Sequence, residues 1–413
     1  MPIFRPFKAY RPKQELAQKI AAKPYDILTS DEAREEVKGN LYSFLHVGKP
    51  EIDLDPSIDL YDPRVYQKAK ENLQKLIDIK AIVSDPKPYL YVYAQTMDGR
   101  TQYGLVGCVS KDDYWNNNIK KHEKTRKDKE EDRSNHVRVT NAHSGPVFLT
   151  MPDNEEINAL VSDVVKNQPD NDLVDNMNVR HTSWVIRDEK VSARIEELLK
   201  GTKNFYIADG HHRSAAGAIV GREREKANPN HTGEEEYNYY MAVLFPASHL
   251  HIMDYNRVVV DLNGASEEEF FNKLKTVCSI EKVSSQYKPK QRGEVGMYIN
   301  KNWYKLNFKP ELTNVSDPVE RLDVSLLQKY VLNPFLGIDD PRTSERIDFV
   351  GGIRGLNELE RRVNSGEMTV AFSMFPTSVK DLIDIADAGA IMPPKSTWFE
   401  PKLADGMFVH FMD

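Results

Sequence analysis

The segment that most limits how this chain can fold runs Asn204-Phe205-Tyr206-Ile207-Ala208-Asp209-Gly210-His211-His212-Arg213-Ser214-Ala215-Ala216-Gly217-Ala218. An apolar, aromatic stretch reads as a strand, Gly210 permits a tight turn, and a small-residue helix follows at once. Ala215, Ala216, Gly217 and Ala218 let that helix lie close against a sheet. A helix N-terminus carries unpaired N–H groups and a partial positive charge, which suits a phosphate or another anion. His211, His212 and Arg213 are expected to reinforce that field. Asp209 has three open roles: orienting a histidine, holding a magnesium ion, or capping the helix. His211 and His212 cannot both face one metal, since neighbouring helix positions diverge by about 100°.

The rest of the chain alternates helices and strands. Val65, Ala69, Leu73, Leu76 and Ile77 recur at helical spacing over residues 62–82, with Asp62 as cap and Pro63 in the first turn. Residues 31–37 read as a short helix capped by Thr29 or Ser30. Tyr89 to Thr96 reads as a strand, Asp98-Gly99 as a hairpin turn, and Thr101 to Ser110 as the returning strand. Tyr42 to Val47 has the mixed pattern of a strand. Tyr239 to Phe245 and Arg257 to Val260 read as strands, and the helix–strand pattern restarts after Gly264. The class is therefore α+β, a mixed α/β chain. With 413 residues, two or three domains are expected. Composition shifts divide the chain into an N-terminal α+β region (1–150), a core holding the glycine turn (151–262), and a C-terminal α+β region (263–413).

Lys and Arg number 56 against 63 Asp and Glu, a formal charge of -7. That balance counts against a broad reader of phosphate backbones, so nucleic acid is not the expected partner. Cys108 and Cys278 are too few for a disulfide framework and read as buried small hydrophobes. No signal pattern or apolar run long enough for a membrane span is visible, so the expected location is cytoplasmic.

A second charged block runs from Ile119 through His122-Glu123 to Asp132-Arg133. His122-Glu123 resembles half of a His-Glu-x-x-His motif, but Arg126 stands where the second histidine belongs. Glu123, Arg126, Lys129 and Arg133 are spaced as a helical stripe, which would aim them at one anionic ligand; a solvated face with ordinary i,i+3 and i,i+4 pairs is the alternative. Pro394-Lys395-Ser396-Thr397 echoes the end of a Walker A loop without its upstream glycines; a P-loop is rejected, and Lys395 stays a candidate anion contact. His46 and His181 are candidate substrate contacts that could equally be structural. No Gly-x-Ser-x-Gly or Gly-x-Gly-x-x-Gly motif is present.

Several blocks together resemble the family called domain of unknown function 1015. They are Pro24-Tyr25-Asp26-Ile27-Leu28, Gly39-Asn40, Ser43-Phe44-Leu45-His46, Lys49-Pro50-Glu51, Asp98-Gly99-Arg100, His122-Glu123 through Arg133, Ala208 to Arg213, and Met392 to Trp398. They span nearly the whole chain, and they add Arg100 to the candidate substrate contacts. The Asp-Gly-His-His-Arg block also resembles the phosphate-binding turn of the ParB and sulfiredoxin superfamily, one branch of which is a free serine kinase. This likeness implies a ParB/sulfiredoxin-like nucleotide-binding core. It implies that Gly210, His211, His212 and Arg213 hold phosphates while Asp209 assists transfer. The kinase uses a separate acidic base, for which Glu123 is the candidate. The family is often encoded beside serine-biosynthesis enzymes, which brings serine or phosphoserine into view. ParB's helix-turn-helix and sulfiredoxin's catalytic cysteine have no counterpart here.

The expectation is a phosphotransferase using ATP or ADP with magnesium on a small hydroxyl metabolite such as serine, with Asp209, His211 and Glu123 catalytic. A non-catalytic nucleotide or phospho-metabolite sensor and a ParB-like nucleic-acid switch are the alternatives. A homodimer is left open. The basic residues of the two blocks are expected to converge on one anion pocket.

Overall fold

Asp98 and Gly99 both take positive φ, +52° and +77°. This is the geometry of a two-residue hairpin whose twist matches that of its strands. They join Tyr91–Met97 to Arg100–Ser110, the centre of the larger sheet. The computed structural model describes residues 1–413 and divides them into two units: 1–250 with 401–413, and 251–400.

The first unit is built on a nine-stranded mixed sheet. Its strands are β1 (Phe4–Arg5), β2 (Tyr91–Met97), β3 (Arg100–Ser110), β4 (Ile119–Lys120), β5 (Val147–Met151), β6 (Asn171–Val174), β7 (Arg180–Val185), β8 (Phe205–Asp209) and β9 (Tyr239–Pro246). Their spatial order is β4-β8-β5-β9-β3-β2-β7-β6, with β1 on β3. The β8–β4 and β9–β5 pairs are parallel; the other pairs in the sheet are antiparallel. Phe205, Ile207, Leu149, Leu244, Leu105 and Val92 fill its core.

Three helices matter for the site: α1 (Pro63–Asp78), α2 (Lys127–Thr140) and α3 (His211–Ala227). Asp62 caps α1 by accepting from the Arg64 N–H, and Val65, Ala69, Leu73 and Leu76 are buried. The small residues of α3 do what their size suggests. Ala215, Ala216 and Ala218 are buried, and a Cβ at Gly217 would lie 2.8 Å from Tyr240 Cβ. Helix α2 packs against both α1 and α3.

The second unit carries a six-stranded antiparallel sheet. Its strands lie in the order Cys278–Val283, Asn302–Phe308, Glu294–Ile299, Val370–Met374, Tyr255–Val259, Ile347–Gly351. Helix Glu267–Val277, closed by a Ser266/Glu269 capping box, buries Phe270 and Leu274 in its core.

The two units differ from the three regions that composition suggests. Strands β2 and β3 share one sheet with β5, β7, β8 and β9, so no boundary falls near 150. Tyr255–Val259 is an inner strand of the second sheet, which draws that boundary back to residue 251. The last thirteen residues rejoin the first unit: His410 pairs with His143, and Asp405 bridges to Ala22. Tyr42–Val47 is no strand; Leu45–Gly48 forms one helical turn. Cys108 and Cys278 are both buried and unpaired. No helix is long and apolar enough to cross a membrane.

Candidate functional site

Strand β8 ends on Asp209, and Gly210 turns the chain with φ +88°. Helix α3 starts at His211, directly after that glycine. No side chain caps it, so its first N–H groups keep their capacity for a ligand. A Cβ at Gly210 would sit 3.0 Å from Arg213 Nε, and a side chain rarely adopts that φ, so glycine is required twice over.

Asp209 is the hub of the turn. Its Oδ1 accepts from the Gly210 N–H at 2.8 Å, and its Oδ2 accepts from Lys402 Nζ at 3.0 Å. Arg213 Nη2 lies 4.0 Å from the same Oδ2. Burial alone would raise this carboxyl, but Lys402 and Arg213 outweigh it and hold it well below the usual carboxylate range. The group is an ionised anchor for two cations. Lys402 and Arg213 already place two positive charges on this carboxylate, so a magnesium ion on Asp209 would meet cation repulsion and the group does not fit it.

Arg213 donates to the Pro146 carbonyl at 2.7 Å and borders an internal cavity shared with Tyr25, Arg133, His143, Gly145 and Asp405. Arg133 stacks over the Tyr25 ring at 4.0 Å and pairs with Asp132 at 2.9 Å. Asp405 Oδ1 is buried without a hydrogen-bond partner. Burial pushes its carboxyl up to about 7, against the pull of Arg213 and Arg133. Two arginines and one carboxyl, Asp405, therefore line one cavity.

The histidines behave differently from the sequence expectation. His211 is buried, and burial together with its neighbour His122 drives it well below the ordinary imidazole value. The two rings meet edge to face, 4.5 Å apart. His211 Nδ1 lies 3.6 Å from Glu123 Oε2, and its Nε2 has no partner. His122 bonds to the Ile207 backbone, keeps Nδ1 unpartnered, and is pushed down to about 4 by burial. His212 is also lowered by burial, and its Nε2 accepts from the Arg126 N–H at 3.1 Å. These rings are neutral near pH 7. The positive field comes from Arg213, Lys402, Arg133 and the helix terminus.

The helical stripe does not form. Glu123 precedes α2, and Arg126 is its N-cap. Ile119–Lys120 is extended because it pairs with Phe205–Tyr206 at the sheet edge, which delays the helix to Lys127. Arg126 is exposed and pairs with Asp128, while Lys129 bonds to the Tyr61 hydroxyl. Of the stripe, only Arg133 reaches the cavity and only Glu123 reaches His211.

Other candidates have local structural partners. His46 pairs with Asp53 at 2.8 Å, and that bond raises it. His181 accepts or donates at Tyr93 Oη (2.6 Å) and sits 3.3 Å from Asp175. Arg100 donates to the His249 carbonyl. Lys395 belongs to the second unit, where its carbonyl accepts from Arg257 and its ammonium lies over the Tyr255 ring. Lys402, Asp405 and the free nitrogen of His122 were not singled out from sequence. His122 had a signal in the His-Glu pair; Lys402 and Asp405 had none, lying about 190 residues beyond the turn.

A family profile described as "Protein of unknown function (DUF1015)" matches residues 4–325. No curated protein matches the sequence. Among solved structures, a free serine kinase in complex with AMP is similar at 12% identity, covering 71% of this chain and 86% of that one, TM-score 0.36. A conserved hypothetical protein from Pyrococcus furiosus follows at 14% identity, 74% and 94% coverage, TM-score 0.35. SbnI from Staphylococcus aureus, truncated at its C-terminus, shows 9% identity, 73% and 85% coverage, TM-score 0.37. At this distance they lend no residue role to this chain.

Proposed function

We propose that this chain, which belongs to the DUF1015 family, is a nucleotide-dependent phosphotransferase acting on a small hydroxyl-bearing metabolite, with serine or phosphoserine the first substrates to try. One observation carries the reading: at the uncapped start of α3, Asp209 holds Lys402 and Arg213 against the glycine turn. Phosphoryl transfer asks mainly for positioned positive charge around equatorial oxygens. The α3 N–H groups, Lys402 and Arg213 supply it. Asp209 orients the two cations; held far below the usual carboxylate range, it is a poor base. Glu123 is the better proton acceptor, being half-exposed and next to the neutral His211 ring. His212 contributes a backbone donor from the first turn of α3. The step needs no magnesium on Asp209.

The test is direct. The protein is incubated with magnesium, serine and ATP or ADP, and with magnesium, phosphoserine and AMP or ADP in reverse, and products are read by mass spectrometry. Phosphoserine formation or consumption above a Lys402→Met control supports the reading. Nucleotide binding without turnover in either direction overturns it and leaves a sensor; salt-sensitive DNA retention would point to a nucleic-acid switch.

A further inference from the structure

His122, Glu123 and His211 each offer a ligand atom, and these atoms lie within 4.8 Å of one another. His122 and His211 come from separate blocks of sequence, the first beyond edge strand β4 and the second on α3. Each ring is more than nine-tenths buried; His122 keeps Nδ1 with no partner, and His211 turns Nδ1 toward Glu123. A buried polar atom without a partner is costly and calls for an explanation. The His122 bond to the Ile207 backbone must use Nε2, since Nδ1 is unpartnered. That bond fixes the tautomer and leaves a lone pair on Nδ1, the outer-shell arrangement typical of a metal-ligating histidine.

We infer that these three residues form a binding site for a divalent transition-metal ion of the zinc class. The distances support an ion more than a hydrogen bond. Two atoms bound to zinc at about 2.0–2.1 Å in tetrahedral geometry lie about 3.4 Å apart. His211 Nδ1 and Glu123 Oε2 are 3.6 Å apart, too far for a hydrogen bond and close to that spacing. The three ligand atoms lie within 4.8 Å of one another, so no pair needs to close by more than about 1.4 Å to reach that spacing. Two imidazoles among three ligands suit zinc better than magnesium, which prefers oxygen ligands. Three protein ligands leave a fourth position open, as in catalytic rather than structural zinc sites. The ion would take the Glu123 carboxylate that the phosphotransfer reading uses as base. Its test therefore runs without nucleotide or serine, so the two readings succeed or fail separately.

The full chain is stripped with a chelator, dialysed, and titrated with Zn²⁺ against a chromophoric competitor; Co²⁺ is added in parallel for its visible spectrum. The expected result is one ion per chain and intense, low-symmetry Co²⁺ bands. Glu123→Gln and His211→Asn should each weaken binding by more than the ~10–100-fold that losing an outer-shell partner costs. Circular dichroism without metal checks that each variant folds. Should His211→Asn fail that check, Glu123→Gln decides alone, because Glu123 is half-exposed outside any helix or strand. No stoichiometric zinc uptake, or unchanged affinity in folded variants, overturns the site and assigns any zinc to other surface histidines.

Discussion

Asp405 is the group whose removal should help. Its carboxyl is buried, its Oδ1 has no partner, and it lies so close to Gly145 that a Cβ there would come within 2.8 Å of Oδ1. In the folded chain it gives up its proton near pH 7, against 3.8 for an ordinary carboxyl. Between those values the folded state binds more protons than the unfolded one, so stability falls as pH rises. The stabilisation is complete below about pH 4 and is gone above about pH 7. A separation of about three pH units, at 1.36 kcal/mol each, amounts to about 4 kcal/mol at pH 8. Arg213 and Arg133 already oppose burial within that figure, so it is not to be counted again. Relaxation of the cavity will reduce it, and about 2–4 kcal/mol is expected.

Asp405→Asn keeps the shape and abolishes the ionisation. Urea unfolding of wild type and variant at pH 5 and pH 8 measures the difference. The transition is followed through Trp115 and Trp184, the tryptophans of the first unit. The ordinary carboxyl is already ionised at pH 5, so only the part of the penalty that builds up above pH 5 is read: the variant should gain about 1–2.5 kcal/mol on wild type between the two pH values. A stability gap that stays constant within about 0.5 kcal/mol, or that moves the other way, would falsify the claim that Asp405 is a strained acid rather than a settled partner of Arg213.

Two further outcomes follow from the turn. Arg213→Ala should weaken ATP or ADP binding by about 1.5–3 kcal/mol, the scale of a charged hydrogen bond, and calorimetry showing unchanged affinity would remove Arg213 from the phosphate site. Lys402→Met should destabilise the fold by about 1–3 kcal/mol at neutral pH, because Asp209 is left buried with one fewer cation. Asp209's own contribution has the opposite pH sign to that of Asp405: it is present above the ordinary carboxylate value and lost as pH falls through the depressed one. Asp209→Asn added to Lys402→Met should recover part of the loss; additive effects of the two substitutions would deny the pair.

Local chemistry was legible in the sequence wherever a backbone constraint spoke through residue type. Asp98-Gly99 announced the central hairpin, Asp62-Pro63 the start of α1, and Gly210 the turn, because each needs a φ or a cap that few residues supply. The class was legible for the same reason. The extent of the sheet was not: β2 and β3 pair with strands up to about 140 residues later, and no local pattern encodes such pairing. Charge misled most. Lys, Arg and Glu at helical spacing from 123 to 133 looked like one face, yet the spacing carries no information about where the helix begins. Strand β4 claims Ile119 and Lys120 for the sheet edge, and the helix starts only at Lys127. The histidines misled in a second way. Residue type suggests positive charge, whereas charge is decided by burial, and burial is a property of the fold. His211 is pressed against His122 beneath the sheet edge and stays neutral, so the cation next to Asp209 is Lys402, brought back by the last thirteen residues. The same burial that removes a phosphate-binding charge from His211 creates a metal-binding lone pair beside Glu123. The site's character therefore rests on where β4 ends: a chain that started α2 at His122 would have kept the basic stripe and lost the three-ligand cluster.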